Sequence, residues 1–280
     1  GNLYLYIPLF TMGLMSRECS SGEVKLVYSS PVTNTHIVLG KFLAMMVFAL
    51  VLVGILLVYV IFGMCTVESF DLSLTLSGLL GIYLLICAYA AIGVFMSSLT
   101  SYPIVAAIGT LAVLMILNMI GGWWQEYDLV RDVTYWLAIS GRCDEFVRGL
   151  ICSEDLLYFI IVIVLFLALT IIRLNAVRQK VRFSITLSKN LGVIFLSCFL
   201  GYLSSLPSLI VYSDVTATKQ NTLTPNSQEI VAKLDGGVTI TTYINVLEPS
   251  GSWFAAYNFL KPDMERFEQY MRFKPDMKLK

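Results

Sequence analysis

Long apolar runs separated by short polar joints set the pattern of this chain. Five runs are complete, at about His36–Gly63, Leu74–Met96, Pro103–Gly122, Leu156–Leu174 and Leu191–Tyr212. Each approaches the ~20 residues that a helix needs to cross ~30 Å of hydrocarbon. An opening run, Leu3–Met15, is too short to span alone and reads as the tail of a helix that starts earlier in a longer chain. No charged region precedes it, so it does not read as a signal peptide. After Tyr212 the pattern becomes that of a water-exposed domain. Thr224-Pro225 is a helix start, with threonine as cap and proline in the first position. Ile230, Val231 and Leu234 give that helix a short apolar face, and Asp235-Gly236-Gly237 ends it. Val238 to Val246 alternates apolar and polar residues and predicts a half-buried strand, followed by a helix around Trp253–Phe273.

Composition places the chain in a class. Of its 280 residues, 57% are hydrophobic and only 14% charged, with a mean hydropathy of +0.77. A water-soluble domain carries about a quarter charged residues, so the chain reads as a polytopic membrane protein. The net charge is zero, which argues against a nucleic-acid partner held through phosphates.

Lysine and arginine orient the spans. Arg173, Arg178, Lys180, Arg182 and Lys189 lie in one joint without an acid, which predicts a cytoplasmic loop. Counting back, Arg17, Lys25 and Lys41 fall on the same side, as does the uncharged joint Ser97–Tyr102. Glu68 and Asp71 fall outside, with Gln125–Asp155, where seven acids face three arginines.

Motifs for chemistry are few. There is no GxxxxGK[ST], no GxGxxG between strand and helix, and no HExxH, and the single histidine, His36, reads as a capping or interfacial residue. No span carries Asp, Glu or His deep in its middle, which weakens a proton-coupled transporter. Ser97-Ser98 and Ser204-Ser205 suit turns or helix packing. The six cysteines show no metal-ligand spacing, so no metal and no cofactor is expected. Cys143 and Cys152 share one polar loop and could pair in an oxidising compartment. Cys87, Ala88, Ala90, Ala91 and Gly93, and the pair Ala106 and Thr110, read as close helix packing. Trp123, Trp124, Tyr127, Tyr135 and Trp136 read as an interfacial belt on short helices dipping into the outer leaflet, with a substrate gate as the second reading.

The joint before the first complete span is the most specific stretch. In SRECSSGEVKLVYSSPVTNTHIVLGKFLA, Leu26 and Val27 offer apolar anchors and Glu18, Glu23 and Lys25 a charged rim. Such a segment fits either a groove on a soluble partner or the bilayer surface. Ser21-Gly22, Leu26, Ser30-Pro31 and Ile37-Val38-Leu39-Gly40-Lys41 resemble the cytoplasmic signature of ABC-2-type transporter permeases. Glu23 stands where that pattern has threonine. The resemblance implies that this segment is the coupling helix that meets a separate ATPase. Further on, RCDEFVRGLICSEDLLYFIIVIVLFLALTIIRL resembles the last external segment and final helix of the gliding-motility-associated branch. SDVTATKQNTLTPNSQEIVAKLDGGVTITTYIN resembles the start of the auxiliary subunit of that branch, which has one membrane helix and a large extracytoplasmic domain.

The expected fold is an α-helical polytopic membrane protein with about six transmembrane helices, the first truncated, followed by the beginning of an extracytoplasmic α/β domain. Its parts are a permease membrane domain (1–174), a cytoplasmic basic linker (175–190), the transmembrane helix of the auxiliary part (191–212) and the start of the outer domain (213–280). The expected function is that of the permease subunit of an ABC transporter, an exporter in the cell inner membrane, coupled to ATP hydrolysis on a partner. The expected ATPase-coupling residues are Arg17, Glu18, Glu23, Leu26, Val27 and Pro31, with Lys41 anchoring the helix mouth. A second permease copy and membrane lipid are the other expected partners. The alternatives are a membrane-anchored envelope scaffold or binding protein without transport, and an intramembrane enzyme, for which the chain shows no catalytic constellation.

Overall fold

A computed structural model describes residues 3–22, 32–122, 128–179, 182–206, 209–233, 237–241, 267, 270 and 278–279. The chain is mostly helical. Helices α1 (Leu3–Thr11) and α2 (Gly13–Ser21) follow one another through Met12, whose own backbone is right-handed helical. The opening apolar run is therefore helical, and the helical path goes on past it to carry Arg17 and Glu18. Gly22, in the left-handed conformation at φ 78°, closes α2.

The next three helices are α3 (Asn34–Thr66), α4 (Leu72–Leu99) and α5 (Pro103–Met119), the last continued by a 3-10 turn at Ile120–Gly122. Their starts follow local chemistry. Thr33 caps α3, Asp71 caps α4 by accepting from Leu74 N at 3.0 Å, and Pro103 opens α5 where its missing N–H costs nothing. Two short helices follow, α6 (Asp128–Leu137) and α7 (Ile139–Val147), then strand β1 (Leu150–Cys152) and helix α8 (Ser153–Gln179). Helix α9 (Phe183–Ser204) completes the apolar helices. Four of them, α3, α4, α8 and α9, are long and apolar enough to cross a membrane, and α5 is a shorter apolar helix.

Helix α4 is the axis of the bundle. It packs against α1, α2, α3, α5, α7 and α8, and 61% of its most apolar stretch is buried, against 17% for α3 and 0% for α9. Its small residues make this possible: Cys87, Ala88, Ala90 and Ala91 are buried side by side. At Gly93 an added Cβ would stand 2.1 Å from Thr11 Oγ1, so only glycine lets α1 approach so closely. Ala106 and Thr110 are buried likewise on α5. The small-residue patterns are packing seams, where close contact and interhelical hydrogen bonds replace the missing hydrophobic drive within lipid. Tyr89 adds one such bond, from its hydroxyl to Asn118 Oδ1 of α5 at 3.0 Å.

The fifth apolar run forms a helix at Phe183–Ser204, where Leu191–Tyr212 was expected. Pro207 ends helical continuation two residues past the C-cap at Ser205, and the apolar residues Phe183, Ile185 and Leu187 extend the run backwards. Tyr212 instead begins strand β2 (Tyr212–Asp214), which pairs antiparallel with β1 in the register Leu150↔Asp214, Ile151↔Ser213 and Cys152↔Tyr212. Helix α10 (Pro225–Ala232) starts as its sequence implies, with Thr224 accepting from Ser227 N at 3.4 Å. Of the expected strand Val238–Val246, residues 238–241 are described, and of these Thr239–Ile240 form β3, parallel to β4 (Lys278–Leu279). Residues 242–250 and most of Trp253–Phe273 lie outside the described residues.

Candidate functional site at the basic end of the bundle

The two ends of the bundle differ in charge and construction. At one end lie Glu68, Asp71, α6, α7 and the β1–β2 ladder. Ile139 and Phe146 of α7 are fully buried, and Phe146 sits so close to α4 that a Cβ on Gly81 would meet it at 2.6 Å. The expected short helices thus pack into the bundle. Trp136 meets Tyr158 edge-on with ring centroids 5.4 Å apart, while Trp123, Trp124 and Tyr127 lie outside the described residues.

Arg142 is buried beside this packing. It donates to Glu154 Oε1 at 2.9 Å and Asp155 Oδ1 at 2.7 Å, and its guanidinium carbon lies 5.0 Å from the centre of the Tyr158 ring. Burial lowers the Arg142 pKa, but the charges of Glu154 and Asp155 outweigh it and raise the pKa above its ordinary value. Two further carboxylates hold the cap in place. Asp71 Oδ2 accepts from Ala217 N at 2.7 Å, and that bond, with those from its own helix start, lowers its pKa. Asp214 is opposed by burial, yet it stays below the usual range because Thr216, Asn221 and Thr222 all donate to it. Cys143 and Cys152 are not joined by a disulfide. Burial pushes Cys143 up to about 11, and the charge of Asp144 adds to the shift. Cys152 donates to Glu145 Oε2 at 3.1 Å.

The other end carries Arg17, Lys41, Arg173 and Arg178. Here, among the described residues, individual polar side chains tie one helix to the next. Ser97 Oγ on α4 accepts from Met15 N at 3.0 Å and Ser16 N at 3.1 Å, and donates to Met12 O at 2.8 Å. It supplies α2 with the cap that its own N-cap residue, Met12, does not make. Lys41 on α3 reaches back to α2, donating to Glu18 Oε1 at 2.5 Å and to the carbonyl of Leu14. On the far side of residues 23–31, Arg178 Nη1 of α8 donates to Val32 O at 3.2 Å. Asn34 Nδ2 donates to Asn175 Oδ1 at 2.8 Å. His36 lies in the first turn of α3, its Nδ1 3.0 Å from the Thr33 hydroxyl, in keeping with a capping residue.

Residues 2–136 match the family model described as ABC-2 family transporter protein. The matched stretch is a little under half of the chain and runs from α1 to within α6. That family is a membrane transport component, not itself catalytic, and it normally works with an ABC ATPase. No curated protein and no solved structure matches the chain.

The ABC-2-like stretch contains every coupling residue expected from sequence. The structure brings Glu18 and Lys41 together and leaves Arg17 exposed one residue away. Glu23, Leu26, Val27 and Pro31 lie outside the described residues. Sequence reasoning missed Ser97 as a tie, having read it as a turn or packing residue, and missed Asn175 and Arg178 as anchors. Only the basic character of the joint after α8 pointed to the last of these. Among the described residues, one group has ligand atoms close enough to share a metal ion: Glu145, Cys152 and Asp155, at the acidic end.

Proposed function

We propose that the chain is the transmembrane permease subunit of an ABC transporter, an exporter whose ATP hydrolysis takes place on a separate ATPase docked at the basic end. The observation that carries this reading is how the described residues on either side of 23–31 are held. One stem is tied to α3 through Glu18–Lys41, and the other, which runs directly into α3, is tied to α8 through the Arg178 and Asn175 bonds at Val32 and Asn34. A force applied to that segment enters α3 from both sides and enters α4 through Ser97. Glu18, Glu23, Leu26 and Val27 contact the ATPase, and Arg17 and Pro31 belong to the same coupling stretch. Lys41 is the latch that passes the motion on.

In this reading the basic end faces the cytoplasm of a cell with an inner membrane, and the acidic cap lies outside. Two permease copies form the transport path, and α3, with most of its apolar surface uncovered, faces lipid or the second copy. Residues 175–190 link the permease part to an auxiliary part of the gliding-motility-associated type, whose membrane helix is α9 and whose outer domain begins after it. The resemblances in residues 142–174 and 213–245 support that assignment.

Affinity purification from membranes tests the reading, using the parent and a Leu26→Asp, Val27→Asp variant that still inserts. An ATPase that co-purifies with the parent and is lost from the variant supports it. An ATPase absent from both, with the chain intact and inserted, refutes it in favour of an envelope scaffold.

A further inference from the structure

Helix α9 meets its neighbours through small residues and leaves a gap beside them. Its buried residues are Ser197, Gly201 and Ser204, and a Cβ on Gly201 would stand 2.0 Å from the Trp136 ring. The close seam is therefore narrow. Beside it runs a groove of about 580 Å³, walled on α8 by Leu157, Ile160, Ile161 and Val164 and on α9 by Leu200 and Leu203. That is the size of a small-molecule site.

The depth of the groove matches one leaflet of a bilayer. Helix α8 carries no charged residue between Asp155 and Arg173, and Val164 stands midway between them. At 1.5 Å per residue, Val164 is roughly 13 Å from either charge, close to the middle of ~30 Å of hydrocarbon. The groove runs along α8 from Leu157, just past Asp155, to that midpoint. Polar ties lie above it. Ser205 Oγ donates to Glu154 Oε1 at 2.8 Å, and Val211 N donates to Ser153 Oγ at 2.9 Å. Hydrogen bonds at the rim and apolar walls below repeat the order of headgroups and hydrocarbon.

What fills the groove follows from that depth. A water in a cavity needs two to four polar partners. The walls supply none, and the Ser204 hydroxyl donates within its own helix, to Gly201 O at 2.8 Å. A neighbouring transmembrane helix crosses both leaflets, whereas this groove ends at the midpoint of α8. An acyl chain reaches from headgroup level to the midplane and has no hydrogen bonds to satisfy.

We propose that the α8–α9 groove seats one acyl chain of a phospholipid from the leaflet at the acidic end. Within lipid, helices associate through packing and hydrogen bonds rather than a hydrophobic drive. A chain lodged in the groove supplies van der Waals contact to both walls where α8 and α9 do not touch, and so completes the attachment of α9. The site requires only that α8 and α9 cross the membrane, and it stands whether or not the chain is an exporter.

Photolabelling tests the proposal. The chain is reconstituted in phosphatidylcholine vesicles holding increasing fractions of a phosphatidylcholine with a diazirine midway along one acyl chain, and labelled residues are mapped by mass spectrometry. We expect labelling of Leu157–Val164 and Leu200–Leu203 to saturate at one lipid per chain, while labelling of exposed Val47 and Val51 on α3 keeps rising with the lipid fraction. Val164 is 58% exposed, so Val164→Phe fills the groove without crowding the core and should abolish the saturable labelling. Val47→Phe should leave it intact. Groove labelling that rises in proportion to the probe, as on α3, overturns the proposal, because the groove then holds only bulk lipid. Saturable labelling that survives Val164→Phe overturns it equally. An unlabelled groove overturns it too, and a cross-link between the α9 helices of two chains would then identify a second copy as the occupant.

Discussion

The basic and acidic ends of the bundle solve the same problem, joining helices that lipid alone does not hold together, in different ways. At the acidic end the joints are layered. A two-stranded ladder links β1 to β2, Val215 N donates to Gly149 O at 3.0 Å, and Asp214 collects its bonds within a tight turn. A buried arginine binds two carboxylates beneath. Among the described residues at the basic end, the helices are joined by separate small groups of hydrogen bonds, such as those of Ser97 to the α2 stem, and the Glu18–Lys41 tie is partly open to solvent. An end braced by many mutually dependent contacts resists displacement. An end joined by separate ties can shift one helix against another at low cost. The contrast places motion at the basic end, where an ATPase is proposed to push, and bracing at the other.

The largest effect is expected from the brace. Arg142→Met leaves Asp155 and Glu154 without their cation, and breaking a buried pair from one side costs about 3–5 kcal/mol. Thermal unfolding in detergent should show a large fall in midpoint. An unchanged midpoint would mean that the acidic end is not braced by this network. Next comes the seam: Gly93→Val drives side-chain atoms into Thr11, an overpacking cost of about 1–3 kcal/mol. It should loosen α1 from α4, read as faster hydrogen exchange in α1 with α9 unaffected.

Acid distinguishes the two ends more gently. Asp71 and Asp214 have pKa values below their ordinary value in the folded cap. They therefore bind fewer protons folded than unfolded, and the stability they add is present above the unfolded value. It is lost as pH falls through the folded one. Below roughly pH 4, near the reference carboxylate value, hydrogen exchange should rise in residues 212–222, while Ser97 and its partners, which carry no charge, should stay unchanged. Asp214→Asn should flatten that pH dependence.

The smallest effect on stability is expected at the latch, with the largest on coupling. Lys41→Met removes a partly exposed pair, at about 0–1 kcal/mol, yet it disconnects α2 from α3. The midpoint should hardly move while ATP-driven transport falls, and the swap Glu18→Lys with Lys41→Glu should recover part of it. Loss of stability without loss of coupling would invert the comparison.

What was legible in the sequence was local. Apolar runs showed where α3, α4, α5 and α8 lie, and Thr224-Pro225 marked the start of α10, because length and caps act within a few residues of one another. The run Cys87–Gly93 announced a seam, though not that α1 fills it. Helix α9 was misplaced because hydropathy averaged across Pro207, whose effect is steric. The rest depends on pairings distant in sequence: Glu18 with Lys41, Asn34 with Asn175, β1 with β2. Nothing in a run of residues marks its partner, and Ser97 looks like any helix-terminal serine until Met15 and Ser16 are placed against it. The acids of Gln125–Asp155 were read as orientation signals, and the pairing of Glu154 and Asp155 with buried Arg142 was invisible until α7 brought that arginine to the start of α8.

The central claim is tested most directly by hydrogen exchange on the chain bound to its ATPase, with and without a non-hydrolysable ATP analogue. The account predicts altered exchange in α2, the start of α3 and the Ser97 end of α4, with the β1–β2 ladder and residues 214–222 unchanged. Changes confined to the acidic cap, or none at the basic end despite bound nucleotide, would contradict it.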